Sequence, residues 1–186
     1  MESWDVVIIG AGPTALRAAI ASHDSGANTV IIHQTPGVTT PPSVAGLAAS
    51  LGETSPESHI RDTLAMGDQD TSEETIRKIC SSAVDIVAEL EQWGMIFRRD
   101  DGGMPHLSEA PGHTSSRLSG AGDSTNRYVT KTLDEQVLKR SIQRRVSNVP
   151  LSMIMDNGQV RGVVSWDLMD GVARAYQCKS VILACE

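Results

Sequence analysis

The stretch Asp5-Val6-Val7-Ile8-Ile9-Gly10-Ala11-Gly12-Pro13-Thr14-Ala15-Leu16-Arg17-Ala18-Ala19 constrains this chain more than any other. Val6 to Ile9 form an unbroken apolar run rich in β-branched residues, which reads as a strand buried on both faces. Gly10 lets the chain turn sharply. Gly12 has no side chain, so a diphosphate can approach the backbone there. Ala15 occupies the third small position of a G-x-G-x-x-G pattern, where helix and strand must pack closely. Leu16, Ala19 and Ile20 recur at helical spacing. The start of that helix, at Pro13, turns free N–H groups and the positive end of its dipole toward the turn, which suits a pyrophosphate. Gly26 stops the helix, and Asn28 to Ile32 form a second buried strand. Together these residues make a βαβ dinucleotide site. Such sites usually carry an acidic residue about 20 positions on, which binds a ribose hydroxyl. Here His33 and Gln34 end the second strand instead.

Composition narrows the possibilities. The 186 residues suffice for one domain with a substantial core. The net charge of −7 argues against a nucleic-acid surface and against adhesion to anionic lipid. The N-terminus shows no charged-then-apolar leader, and no apolar run is long enough to span a membrane. Cys80, Cys178 and Cys185 are odd in number and far apart, which points to a reducing compartment without a disulfide framework. The five histidines show no metal-ligand spacing. Aromatics are scarce, so the core is expected to be aliphatic.

Along the chain, Thr35 to Ser43 form a Pro/Thr-rich loop. Val44 to Gly52 are small and apolar, which suits either close approach to a flat ligand or a short Ala-rich core helix. Helix is expected around Ser58 to Ala65. Thr71 with Glu74 reads as a capping box. It opens a helix whose apolar stripe is Ile76, Ile79, Cys80, Ala83, Val84, Val87 and Leu90, ended by Gly94. Met95 to Phe97 reads as a short strand. Residues 104–126 form a long polar loop, which in a compact domain is usually functional or mobile. A helix capped by Ser124 or Asn126 runs to about Arg145, followed by a third parallel strand at 146–149. Asn157-Gly158 and Asp170-Gly171 predict hairpin turns, making 151–178 an antiparallel meander. A last strand at 180–184 returns to the parallel sheet. The fold class is therefore α/β, a parallel sheet plus an antiparallel β-meander. Because a buried strand is a poor place for a domain to stop, residues 1–186 are expected to be the N-terminal part of something longer.

This layout is that of the large Rossmann-like FAD/NAD(P)-binding fold of many flavoproteins. Within it, the sequence resembles the flavoprotein subunit of succinate dehydrogenase and fumarate reductase. The resemblance is carried by Gly10-Ala11-Gly12 with Leu16 to Ala19, by Val44 to Gly52, and by Gly67-Asp68-Gln69-Asp70. It continues through Glu89 to Met95, Thr132 to Gln136, and Asn157-Gly158 with Arg161-Gly162-Val163, in order over nearly the whole chain. Gly112 to Arg117, followed by Ala121 to Thr125, is similar to the matching loop of a related enzyme, L-aspartate oxidase.

The resemblance implies an FAD-dependent oxidoreductase in which flavin exchanges hydride with a C4 dicarboxylate, succinate or fumarate. L-aspartate oxidation and a non-catalytic dinucleotide-binding fragment are the alternatives. It implies that Gly10, Ala11, Gly12, Pro13 and Ala15 hold the pyrophosphate, with His33 and Gln34 at the ribose. Ser43, Val44, Ala45 and Gly46 would lie near the isoalloxazine, and Val149 and Ala184 would offer backbone near the adenine. The family's catalytic Arg, its capping domain and its C-terminal domain would follow later in sequence, so residues 1–186 hold no catalytic residue and alone are expected to be inactive. His113 and Arg117 are candidate dicarboxylate ligands, but lone loop charges are usually solvated and both are read as surface. An iron–sulfur subunit, and through it a membrane anchor, are the implied partners. The implied location is cytoplasmic, peripheral on the inner face of the membrane, with no nucleic acid bound. Where the respiratory family carries a Ser-His-Thr or Ser-His-Ser triplet that bonds the flavin covalently, this chain has Pro41-Pro42-Ser43. FAD is therefore expected to be non-covalent.

Overall fold

The computed structural model describes residues 2–35, 37–40, 46–52, 54–68 and 70–185. The chain divides into two compact units, residues 1–41 with 133–186, and residues 42–132.

The first unit is built on β1 (Glu2–Ile9), which has parallel neighbours on both sides. On one side lies β2 (Thr29–Ile32), and beyond it β5 (Gln143–Arg145), also parallel. On the other lies β8 (Val172–Leu183), then antiparallel β7 (Gln159–Asp167) and β6 (Asn148–Asp156). The order β5-β2-β1-β8-β7-β6 makes one six-stranded sheet. Helix α1 (Pro13–Asp24) packs on β1, β2 and β8 and buries Ala15, Leu16, Ala19 and Ile20.

Strand alternation divides the β1 and β2 side chains between two faces. Val7, Ile9, Val30 and Ile32 cluster with Val163 of β7 and with Tyr176 and Cys178 of β8. The meander thus folds over one face, while Ile8 and Ile31 are buried on the face that carries α1. Covering both faces is what an all-apolar parallel strand requires. A polar junction ties the meander to the end of β2. The Asn148 N–H donates to the His33 carbonyl at 3.0 Å. Asn148 Oδ1 accepts from Ser165 Oγ at 2.9 Å and from Tyr176 OH at 3.1 Å, all three residues being buried.

The second unit contains α2 (Pro56–Met66) and α3 (Glu73–Gln92), which bury Ile60, Ile76 and Cys80 between them. Ser55 Oγ caps α2 by accepting from Ser58 N–H, and Ser72 Oγ caps α3 by accepting from Thr75 N–H. α3 ends where Gly94 takes φ +98° and Gly94 and Met95 N–H groups return to Glu91 and Leu90 carbonyls. A two-stranded ladder pairs β3 (Leu47–Ala48) with β4 (Leu118–Ser119). Helix α4 (Thr125–Lys139) starts in this unit and finishes in the first.

Several boundaries differ from the sequence reading. The helix expected to reach Arg145 stops at Lys139, because Ser141 takes φ +56° and breaks it. The third parallel strand is 143–145, not 146–149, since Ser147 turns at φ +55° and Asn148 already begins the meander. The strand at 180–184 is not separate: it is the end of β8, whose earlier residues pair with β7. The cap of α3 is Ser72 rather than Thr71, whose hydroxyl donates to Asp68. Ile79 is 60% exposed and lies off the buried stripe. Met95 to Phe97 form no strand. Met95 and Phe97 are buried but their backbone finds no partner strand. Residues 46–52 form no helix: Leu47 and Ala48 pair with β4, and the rest is irregular.

The junction at Asn148 makes a stability test. Asn148→Ala leaves two buried hydroxyls without their acceptor, which is expected to cost about 1–3 kcal/mol. Tyr176→Phe removes one donor while Ser165 keeps its bond, and is expected to cost only about 1 kcal/mol. Urea unfolding followed by circular dichroism measures both, and equal losses would contradict the junction.

Candidate functional site

The carboxyl ends of β1, β2 and β8 in the first unit surround the start of α1. At Gly10 the chain takes φ +141°, and a Cβ there would stand 2.1 Å from the Ala184 carbonyl oxygen and 3.2 Å from Ala15 Cβ. Only glycine fits. Ala15 is fully buried at this contact and does not border the cavity described next. The Ala184 N–H donates to Ile9 O at 2.8 Å, which holds β8 against the turn.

Gly12 is different. It takes φ −85° and ψ 178°, open to any residue, and a Cβ there would meet nothing nearer than the Thr39 carbonyl at 3.9 Å. The protein itself does not need a glycine at that point, so the space is available to a ligand. Gly12 is the N-cap of α1, has no capping side chain, and is followed by Pro13 at N1 with no acidic residue in the first turn. The unpaired N–H groups and the positive dipole end are therefore uncompensated.

These backbone atoms border a cavity of about 630 Å³. Gly10, Ala11, Gly12 and Pro13 form one wall, His33 and Gln34 another, and Ala184 a third. Thr14, Thr35, Thr39, Pro150 and Cys185 also line it and were not singled out from the sequence. Of these, Thr39 lies in the Pro/Thr loop visible in the sequence, and in the structure its N–H donates to the Ala11 carbonyl at 2.8 Å. Val149 does not line the cavity. It pairs with Trp166, and its neighbour Pro150 takes the place. Ser43, Val44 and Ala45 lie outside the described residues. Gly46 belongs to the second unit, where a Cβ would stand 2.9 Å from the Ser119 carbonyl, so backbone crowding there explains the glycine. No described lining residue is Asp, Glu, Lys or Arg. Burial, with the Arg144 guanidinium, holds the His33 imidazole below its usual pKa.

In the second unit, Arg117 contradicts its reading as a surface residue. It is 0% exposed and ion-pairs with Asp62 of α2 at 2.8 Å. It also donates to Ser58 Oγ and Ser115 Oγ, at 3.0 and 3.2 Å. Asp62 accepts from the backbone N–H of Thr114 at 2.8 Å and from its hydroxyl. Those bonds, the backbone one foremost, hold the Asp62 carboxyl below the usual aspartate pKa despite its burial. Nη1 and Nη2 are thus engaged by the protein, while Nε is buried without a hydrogen-bond partner among the described residues. His113 is partly buried, with its ring 6.0 Å from that of His59.

A family profile described as FAD binding domain matches residues 5–186. The succinate dehydrogenase flavoprotein subunit of Rickettsia bellii is 31% identical over 98% of this chain and 33% of its own length. The 8-methylmenaquinol:fumarate reductase flavoprotein subunit of Wolinella succinogenes is 30% identical over 99% of the chain and 31% of its own length. The solved structure of Mycobacterium smegmatis Sdh1 in complex with UQ1 superposes with TM-score 0.91 at 26% identity, covering 99% of this chain and 34% of that one. The chain thus spans about a third of the length of the curated relatives it matches.

Three substitutions, two at the turn and one at Asp62, test this description. Gly12→Val is expected to leave the fold intact and weaken dinucleotide binding at least tenfold, about 1.4 kcal/mol. Gly10→Ala is expected to disturb the fold itself, and circular dichroism with flavin titration separates the two. Asp62→Asn is expected to lower the melting temperature far more than loss of the exposed Arg77–Glu73 pair. Because the folded Asp62 pKa is depressed, its contribution is present above the ordinary aspartate value of about 3.9 and is lost as pH falls below it. The variant's melting temperature should therefore approach that of the parent in acid.

Proposed function

The chain belongs to the FAD binding domain family, and from that premise we propose that its first unit binds FAD with the pyrophosphate over the start of α1. The carrying observation is Gly12: an uncapped helix N-terminus facing a cavity, with room where a side chain would stand. No described lining residue is Asp, Glu, Lys or Arg, which suits a ligand whose charge is met by backbone N–H groups. Gly10 and Ala15 set the turn, and the Thr39 N–H ties the following loop to the Ala11 carbonyl.

The whole reading is the nucleotide-binding portion of a succinate dehydrogenase/fumarate reductase-like flavoprotein subunit, residues 1–186 forming the N-terminal part of its FAD-binding domain. When bound, flavin supplies the two-electron carrier for hydride exchange with a C4 dicarboxylate. The residues of this chain contribute binding and orientation. An iron–sulfur subunit, and a membrane anchor through it, are the partners that reading carries, supported by relatives named as flavoprotein subunits. The location it carries is the inner face of the cytoplasmic membrane. Among the described residues, no helix is long and apolar enough to cross a membrane.

The flavin is held non-covalently in this reading. The loop after β2 offers Pro41-Pro42-Ser43 and no imidazole. His33, which does line the cavity, follows the last residue of β2 and is buried there.

Isothermal titration of the chain with FAD tests the site, and absence of binding would remove the reading. Acid precipitation of the flavin-loaded protein is expected to leave the yellow colour in the supernatant. Colour in the pellet would mean a covalent link. Residues 1–186 alone are expected to show no fumarate reduction with reduced viologen.

A further inference from the structure

We propose that His33 takes the part of the acidic residue that ordinarily ends the second strand of a dinucleotide site, its Nε2 accepting a hydrogen bond from the adenosine ribose. This rests on the reading of the cavity as an FAD site.

The residue is fixed from both sides. Its N–H donates to the Arg145 carbonyl at 3.1 Å, and its own carbonyl accepts from Asn148 at 3.0 Å. The residue is 5% exposed and borders the cavity. Thr35 Oγ1 stands 3.4 Å from Nδ1. Thr35 has a single hydroxyl hydrogen, and it is directed to the Gly37 carbonyl at 2.6 Å. Toward the imidazole, Oγ1 can therefore only accept, which places the ring proton on Nδ1. A neutral ring protonated at Nδ1 has a bare lone pair at Nε2. Nε2 is then the ring nitrogen left for a ligand, and it suits a hydroxyl donor. That is the role a carboxylate oxygen plays at this place in other dinucleotide sites. No described lining residue is an Asp or Glu that could play it here.

The charged groups facing the ring are Arg144 on β5 and Asp134 on α4, which form an ion pair with each other. Arg145, next on β5, is paired with Glu2 of β1. Cys185 is the other titratable group lining the cavity. Burial and Arg144 favour the neutral ring, while Asp134 and the Thr35 backbone oppose them more weakly. Protonation removes the acceptor. Affinity for the ribose should therefore be constant at neutral and higher pH, and fall once pH drops below the ring's depressed pKa, under about 6.5.

The test titrates the chain, its His33→Leu and its His33→Glu variants with FAD, ADP and the dideoxyribose analogue of ADP, from about pH 8 down to about pH 5. The parent is expected to prefer ADP over the analogue by about five- to tenfold at neutral pH, the scale of one hydrogen bond. It should lose that preference in acid. His33→Leu should bind FAD and ADP more weakly by the same factor and show no preference. His33→Glu should restore it and carry it to lower pH, as expected for a carboxylate of ordinary pKa about 4.3. If the parent binds FAD but shows no ribose preference, or His33→Leu keeps the full preference, the role of His33 is overturned and the FAD site stands. If the parent binds neither FAD nor ADP, both fall. Should His33→Leu fail to fold, the parent's ribose preference and its pH course, compared with His33→Glu, decide the question.

Discussion

At Gly10 the ends of two strands and the first turn of a helix meet at van der Waals distance. The Ala184 carbonyl and the Ala15 methyl leave no room there for any side chain. Three features depend on that approach. β8 is held parallel to β1 to its last residues, α1 starts directly over the strand ends, and the cavity wall at the turn itself is backbone rather than side chain. Gly12, two residues on, shares the sequence motif but not the constraint, because its surroundings would accept a Cβ. The fold requires the first glycine, whereas nothing in the surrounding protein requires the second.

β8 carries the next level of organisation. Its later residues run parallel to β1, and its earlier ones pair antiparallel with β7. The meander is thereby brought over the Val7, Ile9, Val30 and Ile32 face. Burying a side chain of that size contributes about 1.5–3 kcal/mol, against about 1 kcal/mol net for a buried hydrogen bond. The apolar cluster therefore dominates stability. The Asn148–Ser165–Tyr176 junction acts on placement, since it anchors the start of β6 beside His33.

What was legible in the sequence was what local chemistry specifies. The apolar run, the glycines and the helical spacing after Pro13 define the βαβ unit without any distant partner. Asn157-Gly158 adopts positive φ at both positions, as a hairpin turn of that type requires. The region from Lys139 to Asn148 was misread because neither Ser141 nor Ser147 advertises the left-handed backbone it adopts. β5, with two arginines in three residues, is a strand only because β2 offers it a ladder. Val149 was placed one residue away from the position that lines the cavity. Arg117 was illegible for a plainer reason. Its burial depends on Asp62, more than fifty residues earlier, and no local pattern around Arg117 reports that pairing. A loop arginine beside a histidine looks like a ligand clamp, yet a guanidinium that is fully buried and ion-paired to Asp62 is not presented to a substrate.

Charge raises a last apparent conflict. The chain carries a net charge of −7, and the ligand it is read to hold is itself an anion. Two effects compete. Repulsion from surface carboxylates acts at long range and is screened beyond about 8–10 Å at physiological ionic strength. The helix terminus acts within its first turn, where each favourable anion contact contributes about 0.3–1 kcal/mol and the N–H groups add hydrogen bonds. No described residue lining the cavity is acidic, and the first turn of α1 has no carboxylate to occupy those groups. The local term therefore prevails at the site, while the overall charge acts on approach and so on the rate of association. An acidic residue after β2 would place a negative charge in the cavity. A neutral imidazole in that position supplies an acceptor without one.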